Sequence, residues 1–221
     1  MNILHENRDI MLMEVSLMPF VGQTFLASNE LTYIAADQLT AINLAVTGAA
    51  GNKATVIPQY PVWPNIIKYN NDIGFGDPKY IWDSTTTDNQ VRAFAALSQG
   101  FGSGDSSVTA DVSLTVFADN AHIARLDVYD LAGISPVFIT TLTPPVLTDG
   151  SMDANTGLVE ILPYNWQNIR YFHTRSNSLP PGGLYAILAS FTVTNYLGPN
   201  PPVTPGNPAG LLFFANISFY S

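Results

Sequence analysis

The chain has no cysteine among its 221 residues. Disulfides, thiolate catalysis and cysteine-ligated zinc are excluded together by that absence. Charge is also scarce: Asp, Glu, Lys and Arg make up 11% of the sequence, less than half the usual share of about 25%. Basic residues are the scarcest, with 8 Lys and Arg against 17 Asp and Glu and a formal net charge of −9. No basic cluster offsets this balance, so it repels a nucleic-acid backbone and an anionic membrane alike. No apolar run approaches the roughly 20 residues that span a bilayer. Residues 10–18 are apolar, but Glu14 interrupts them and Glu6 and Asp9 precede them. A signal peptide wants a positive start and an unbroken apolar core, so the segment is not a convincing one.

Apolar residues are plentiful. Hydrophobic side chains make up 47% of the chain, enough for a sizeable core. The surface is then left to Ser, Thr, Asn, Gln, Gly and Pro, which repel a neighbouring copy only weakly. This composition suits a protein that packs against itself, or one of the extracellular space or a cell or spore surface.

Strand signals dominate the patterning. In residues 109–118, Val112, Leu114 and Val116 alternate with Ser113, Thr115 and Phe117, the period of a half-buried strand. Residues 124–129 repeat the pattern with Ala124, Leu126 and Val128 on one face. Residues 137–142 are short and β-branched, residues 184–194 read as a central strand buried on both faces, and residues 211–220 as a terminal strand. Glycine and proline clusters at 100–105, 144–145, 180–183 and 198–202 separate these runs, the first reading as a flexible loop. Residues 34–43 and 89–97 are the short helix candidates, each open to a strand reading. The expected class is all-β, a jelly-roll β-sandwich with an N-terminal extension. Residues 1–30 form an arm or first strand and residues 31–221 a single sandwich domain. Val112, Leu114, Val116, Leu126, Trp166, Ile187, Ala189, Phe191 and Leu212 are expected to face its core.

Five segments carry a family resemblance. Pro78-Lys79-Tyr80-Ile81-Trp82 is similar to an opening strand, and Val116-Phe117-Ala118-Asp119-Asn120 to a central strand ending in an Asp-Asn turn. Asn165-Trp166-Gln167-Asn168, the stretch from Gly183 to Asn195, and Asn207-Pro208-Ala209-Gly210-Leu211-Leu212 follow in order. Together they resemble the galactose-binding-like jelly-roll module over residues 78–221. The resemblance implies a two-sheet sandwich and, in sugar-binding members, a pocket near the turn after Asn120. The chain departs from the pattern there, where Leu126-Asp127-Val128-Tyr129-Asp130 replaces a strand ending in Asn-Gly. Locally, Asp119 and Asn120 are suited to a sharp turn with left-handed dihedrals. Gly210 leaves room for a close neighbour.

Candidate sites follow from residue type. Tyr60 and Trp63 lie in the proline-stiffened stretch 58–64, read as an exposed loop whose rings could stack on a sugar. Asp119 and Asn120 could hold a sugar hydroxyl, although turn chemistry also accounts for them. His5, His122 and His173 are scattered, and no nucleophile motif, phosphate loop or metal spacing accompanies them. Asp72, Asp77, Asp83 and Asp88 lack the regular spacing of a calcium loop. No catalytic residue, metal or other cofactor is therefore expected, with calcium unsupported. In the arm, Leu4, Ile10, Leu12, Val15, Leu17 and Phe20 are the expected assembly residues. The leading expectation is a non-catalytic structural protein that self-assembles into a fibre, lattice or ordered inclusion through this arm. The alternative is a carbohydrate-binding module or lectin. Partners would be copies of itself or glycans, with no nucleic acid and no membrane insertion.

Overall fold

The computed structural model describes residues 18–64, 77–148, 167–195 and 207–221. Along the chain these form β1 (Phe20–Ala27), β2 (Tyr33–Ala35), α1 (Gln38–Thr47), β3 (Thr55–Val56), β4 (Ile81–Trp82), β5 (Gln90–Leu97) and β6 (Phe101–Gly102). β7 (Thr109–Asp119), β8 (Ala121–Asp130), β9 (Val137–Thr141), β10 (Leu147–Thr148), β11 (Arg170–Arg175), β12 (Leu184–Asn195) and β13 (Gly210–Tyr220) follow. The first sheet runs β11-β7-β13-β4-β3, with β1 also on β13. The second runs β10-β8-β12-β5-β2, with β6 on β12 and β9 on β8. All these pairings are antiparallel. The jelly-roll expectation is met as a two-sheet, all-β sandwich.

Period-two alternation builds the layer between the sheets. Val112, Leu114 and Val116 of β7 meet Leu211, Phe213, Ala215, Ile217 and Phe219 of β13, with Ala124, Leu126 and Val128 of β8 and Ile187, Ala189 and Phe191 of β12 opposite. Phe191 and Phe213 approach to 4.5 Å between ring centroids, which joins one sheet to the other. β12 is central and buried on both faces, as its apolar run implies. Its outer-facing Leu188 lies beneath α1, whose Ala41, Ile42 and Ala45 pack on Ala93 and Ala95 of β5. The alanines let the helix axis come close. Asp37 caps the helix, its Oδ1 accepting from the Thr40 amide at 2.9 Å. Gly48 ends it in the left-handed conformation at φ 63°, donating to the Leu44 carbonyl.

Several expectations are corrected. The helix candidate at 34–43 begins only at Gln38, because Ile34 is a core residue of β2, while 89–97 takes the strand reading left open for it, as β5. The stretch 100–105 is not a free loop: Phe101 stacks on Phe219 at 4.2 Å, and the buried Ser103 accepts the Gly183 amide. Leu212 is buried, but on the outer face of the first sheet, since Leu211 and Phe213 take the inward positions. Trp166 lies outside the described residues, as do Leu4, Ile10, Leu12, Val15 and Leu17. Phe20 opens β1, remains 59% exposed and meets Tyr220 edge-on at 5.9 Å.

Asn120 alone connects β7 in the first sheet to β8 in the second. The chain thus changes layer within one residue, and the Asn120 amide is fastened to the Thr194 carbonyl of β12 at 3.1 Å. This is a corner between sheets rather than a hairpin, and Asn120 does not adopt positive φ.

Phe213→Ala should lower unfolding stability by about 3–5 kcal/mol, since it empties the centre of the inter-sheet layer. Leu39→Ala, on the exposed side of α1, should change it by no more than about 0.5 kcal/mol. Urea unfolding of the two variants beside the parent measures the difference.

Candidate functional site

Tyr60, Trp63, Asp119 and Asn120 do come together, at one end of the first sheet. The indole of Trp63 lies on the outer face of that sheet, with ring centroids 6.0 Å from Tyr60, 5.0 Å from Tyr80 and 5.2 Å from Phe117. Its Nε1–H donates to Asp119 Oδ2 at 2.7 Å in a buried bond. The Tyr80 hydroxyl donates to the Pro64 carbonyl, and burial pushes its pKa up to about 12. Trp63 is only 4% exposed. The expected exposed stacking platform is therefore a plug. The Ile57 amide, which donates to the Tyr80 carbonyl at 2.9 Å, and the Tyr80 hydroxyl on the Pro64 carbonyl anchor the two ends of the 58–64 stretch, and the indole packs on the apolar surface of Phe117, Leu212 and Tyr80. Asp119 and Asn120 are buried too, so of the four expected sugar contacts Tyr60 alone keeps partial exposure. Trp82 is fully buried, as a core residue should be, and its Nε1–H donates to Gln90 Oε1 at 3.0 Å.

A cleft of about 460 Å³ opens elsewhere, lined by Ile34, Ala35, Ala36, Asn52, Lys53, Thr55, Asp83, Ser84 and Arg92. It sits where the β2 edge of the second sheet meets the β3 edge of the first. The Ile34 amide donates to the Asn52 carbonyl at 3.0 Å and the Ala54 amide to the Thr32 carbonyl at 2.8 Å, closing the sandwich on this side. Its charged groups are already fixed. Arg92 Nε donates to Asp83 Oδ2 at 2.5 Å. Asp83 Oδ1 accepts the Ser84 amide at 2.6 Å and its hydroxyl at 3.2 Å. Burial by itself would raise the Asp83 pKa. The Arg92 hydrogen bond, the Ser84 amide and the Arg92 charge together hold it below its ordinary 3.8. Lys53 is held in place by the Leu31 carbonyl at 2.8 Å and by the Tyr33 ring, whose centroid is 2.8 Å from Nζ. The mouth therefore offers an amide, an ammonium, a guanidinium, a carboxylate and two hydroxyls above an aliphatic floor.

These lining residues carried little signal in the sequence. Asp83 stood out only as one of four loop aspartates, and its partner is an arginine. Asn52 and Lys53 lie some forty residues from Arg92 in the chain, and only the meeting of the two sheet edges joins them. Elsewhere, His173 Nε2 lies 2.8 Å from Asp111 on the outer face of the first sheet, and His122 is buried against Phe172. Among the described residues, no three His, Asp or Glu side chains gather closely enough to hold a metal ion.

The class of protein is thus a two-sheet antiparallel β-sandwich with one outer face covered by a helix and a polar cleft at a lateral seam. No family model matches the chain, and no curated protein matches it in sequence. Solved structures to which the chain is similar include the enzymatically active domain of tailspike protein 4 of bacteriophage CBA120, at 10% identity and TM-score 0.38, over 86% of this chain and 19% of that one. The chain thus spans about a fifth of that tailspike's length. Another is the K1 cleaved adhesin domain of Lys-gingipain from Porphyromonas gingivalis, at 9% identity and TM-score 0.37, over 91% and 99%. A third is TmCBM61 in complex with β-1,4-galactotriose, at 6% identity and TM-score 0.30, over 90% and 87%.

Gly210 faces the Trp63 plug, and a methyl group there would collide with ring carbon Cη2. Gly210→Ala should therefore destabilise the fold by about 1–3 kcal/mol through overpacking and shift the tryptophan emission. At Gly102 an added methyl meets open space, so Gly102→Ala should leave both unchanged. Fluorescence-monitored denaturation of the two variants reads this.

Proposed function

We propose that the protein is a non-catalytic, glycan-binding β-sandwich of the galactose-binding-like kind, and that the seam cleft holds a neutral sugar unit. The observation that carries this is the Asp83–Arg92 pair, fixed at 2.5 Å in the mouth of the cleft. A sugar hydroxyl is donor and acceptor at once, so a site for adjacent hydroxyls needs both roles within reach. Asp83 accepts, Arg92 donates, and Asn52, Thr55 and Ser84 add uncharged partners around them. An anionic ligand is favoured less. The Arg92 charge is offset by Asp83, and Lys53 is committed to a carbonyl and a ring. Because Asp83, Ser84 and Arg92 are already tethered to one another, binding needs little reordering of these three. The cleft is open and, among the described residues, Ile34 is its only large apolar lining residue, so affinity is modest.

The test is a glycan array followed by calorimetry on the best neutral hit. Arg92→Ala and Asp83→Asn should each weaken binding about tenfold or more, roughly 1.4 kcal/mol. Tyr60→Ala should leave it intact. Hits that survive both cleft variants but vanish with Tyr60→Ala would move the site to the aromatic corner, and an array without hits would remove the reading. The pH profile follows from Asp83. Its pKa is lowered below 3.8 in the fold, so the carboxylate is ionised through the neutral and mildly acidic range. Binding should stay flat as pH falls to that value and disappear only below it, as should the pair's contribution to stability.

A further inference from the structure

One face of β5 carries Gln90, Arg92 and Phe94 in alternation. Phe94 lies in the inter-sheet layer, its ring centroid 5.5 Å from that of Trp82. The face turns polar toward the Gln90 end of the strand, where it meets the end of β4 and Asp83. Gln90 is 7% exposed and does not line the cleft. A buried carboxamide needs partners at both its ends. Gln90 Oε1 accepts the Trp82 Nε1–H at 3.0 Å and the Thr87 amide at 3.2 Å. Both of those groups only donate, so they decide which end of the carboxamide is the oxygen. The Nε2 end is left facing Asp83 Oδ2 at 3.4 Å, the same oxygen that takes Arg92 Nε. Thr87 is itself tied down. A tight turn with Asn89 at φ 60° returns the Gln90 amide to the Thr87 carbonyl at 3.3 Å, and Asn195 Nδ2 donates to that carbonyl at 3.2 Å.

We propose that Gln90 is a positioning residue of the seam cleft, holding Asp83 Oδ2 toward Arg92 from the core side; the role rests on the glycan reading of that cleft. Asp83 opens a loop whose residues 84–89 are exposed. The side chains of Arg92 and Asp83 are themselves 30% and 23% exposed, and a part-exposed ion pair gains little against the freedom it gives up. A carboxamide anchored on a buried indole removes part of that freedom beforehand. At 3.4 Å its bond to Asp83 is long, so it supplies direction more than strength. A sugar then meets an acceptor and a donor already set beside each other. The competing role for Gln90 is to satisfy the Trp82 indole and nothing more.

Two variants separate these roles. Gln90→Met keeps the length of the side chain and removes the carboxamide. Trp82→Phe removes the indole donor and leaves Gln90 held by Thr87. Carbon-detected NMR titration of the Asp83 carboxyl reads both variants without any sugar. The Arg92 contact is among the causes that hold this carboxyl below 3.8. In Gln90→Met it should titrate higher, toward 3.8, because that contact loosens and the charged form loses support. In Trp82→Phe it should stay where it is. Binding of the array's best neutral glycan, read by calorimetry, should weaken about tenfold in Gln90→Met and hold in Trp82→Phe. An Asp83 titration that Gln90→Met leaves unchanged overturns the proposal, as does an equal rise in both variants or an undiminished glycan affinity in Gln90→Met. Should the unmodified protein bind no glycan, the reading of the cleft falls and the titration alone decides whether Gln90 positions Asp83. Should Gln90→Met fail to fold, Gln90→Glu takes its place. The introduced carboxyl keeps an acceptor for Trp82 and Thr87 but sets a second acid against Asp83, so the two should share a proton and one should titrate well above the usual carboxylate range. Two carboxyls that titrate independently refute the contact.

Discussion

The whole molecule depends on the registers of β7, β13 and β12 against their neighbours. Eleven residues of β13 pair one for one with β7, from Gly210 opposite Asp119 to Tyr220 opposite Thr109. Because side chains alternate, this ladder decides which residues enter the inter-sheet layer. A slip of one would send Phe213, Ile217 and Phe219 outward and bring Asn216 and Ser218 inward. The ladder also puts Phe117 and Leu212 on the outer face, where Trp63 covers them. Position of the plug, position of the Asp119 carboxylate and closeness of Gly210 to the indole are all consequences of that one registration.

The two lateral sides of the sandwich are built differently. On one, β2 and the segment before β3 are stitched together by backbone hydrogen bonds, and the stitching leaves the polar cleft beside it. On the other, the sheets meet through a bridge between Thr143 and Arg175, and the Thr174 hydroxyl donates to the Thr143 carbonyl. β9 lies beyond that bridge, toward the Asp130 end of β8.

Alternation made most of the fold legible in advance. The runs at 109–118, 124–129, 137–142, 184–194 and 211–220 correspond to β7, β8, β9, β12 and β13. Short apolar segments were less legible. At residues 34–43 and 89–97 a helix and a strand look alike, because packing against α1 favours the same small alanines that a helix would carry. The aromatic corner was legible only in part. Residue type singled out Tyr60, Trp63, Asp119 and Asn120, and the fold does gather them. Their exposure was misjudged, because whether a tryptophan in a proline-rich stretch faces water depends on what lies under it. The cleft was illegible: it exists only where two sheet edges, distant in sequence, meet.

The chain enters and leaves the sandwich at one pole. Phe20 at the start of β1 stands opposite Tyr220 at the end of β13, and the Ser221 amide donates to the Pro19 carbonyl. Asp83 and Arg92 lie toward the other pole, near the Gln90–Asn195 end of the β5–β12 ladder. Any tether joined to either terminal strand, whether an immobilisation tag, a fused neighbour or an anchor, thus pulls from the same end. The module would hang from that tether like a lamp on a cord, with its cleft turned toward whatever lies away from the mooring.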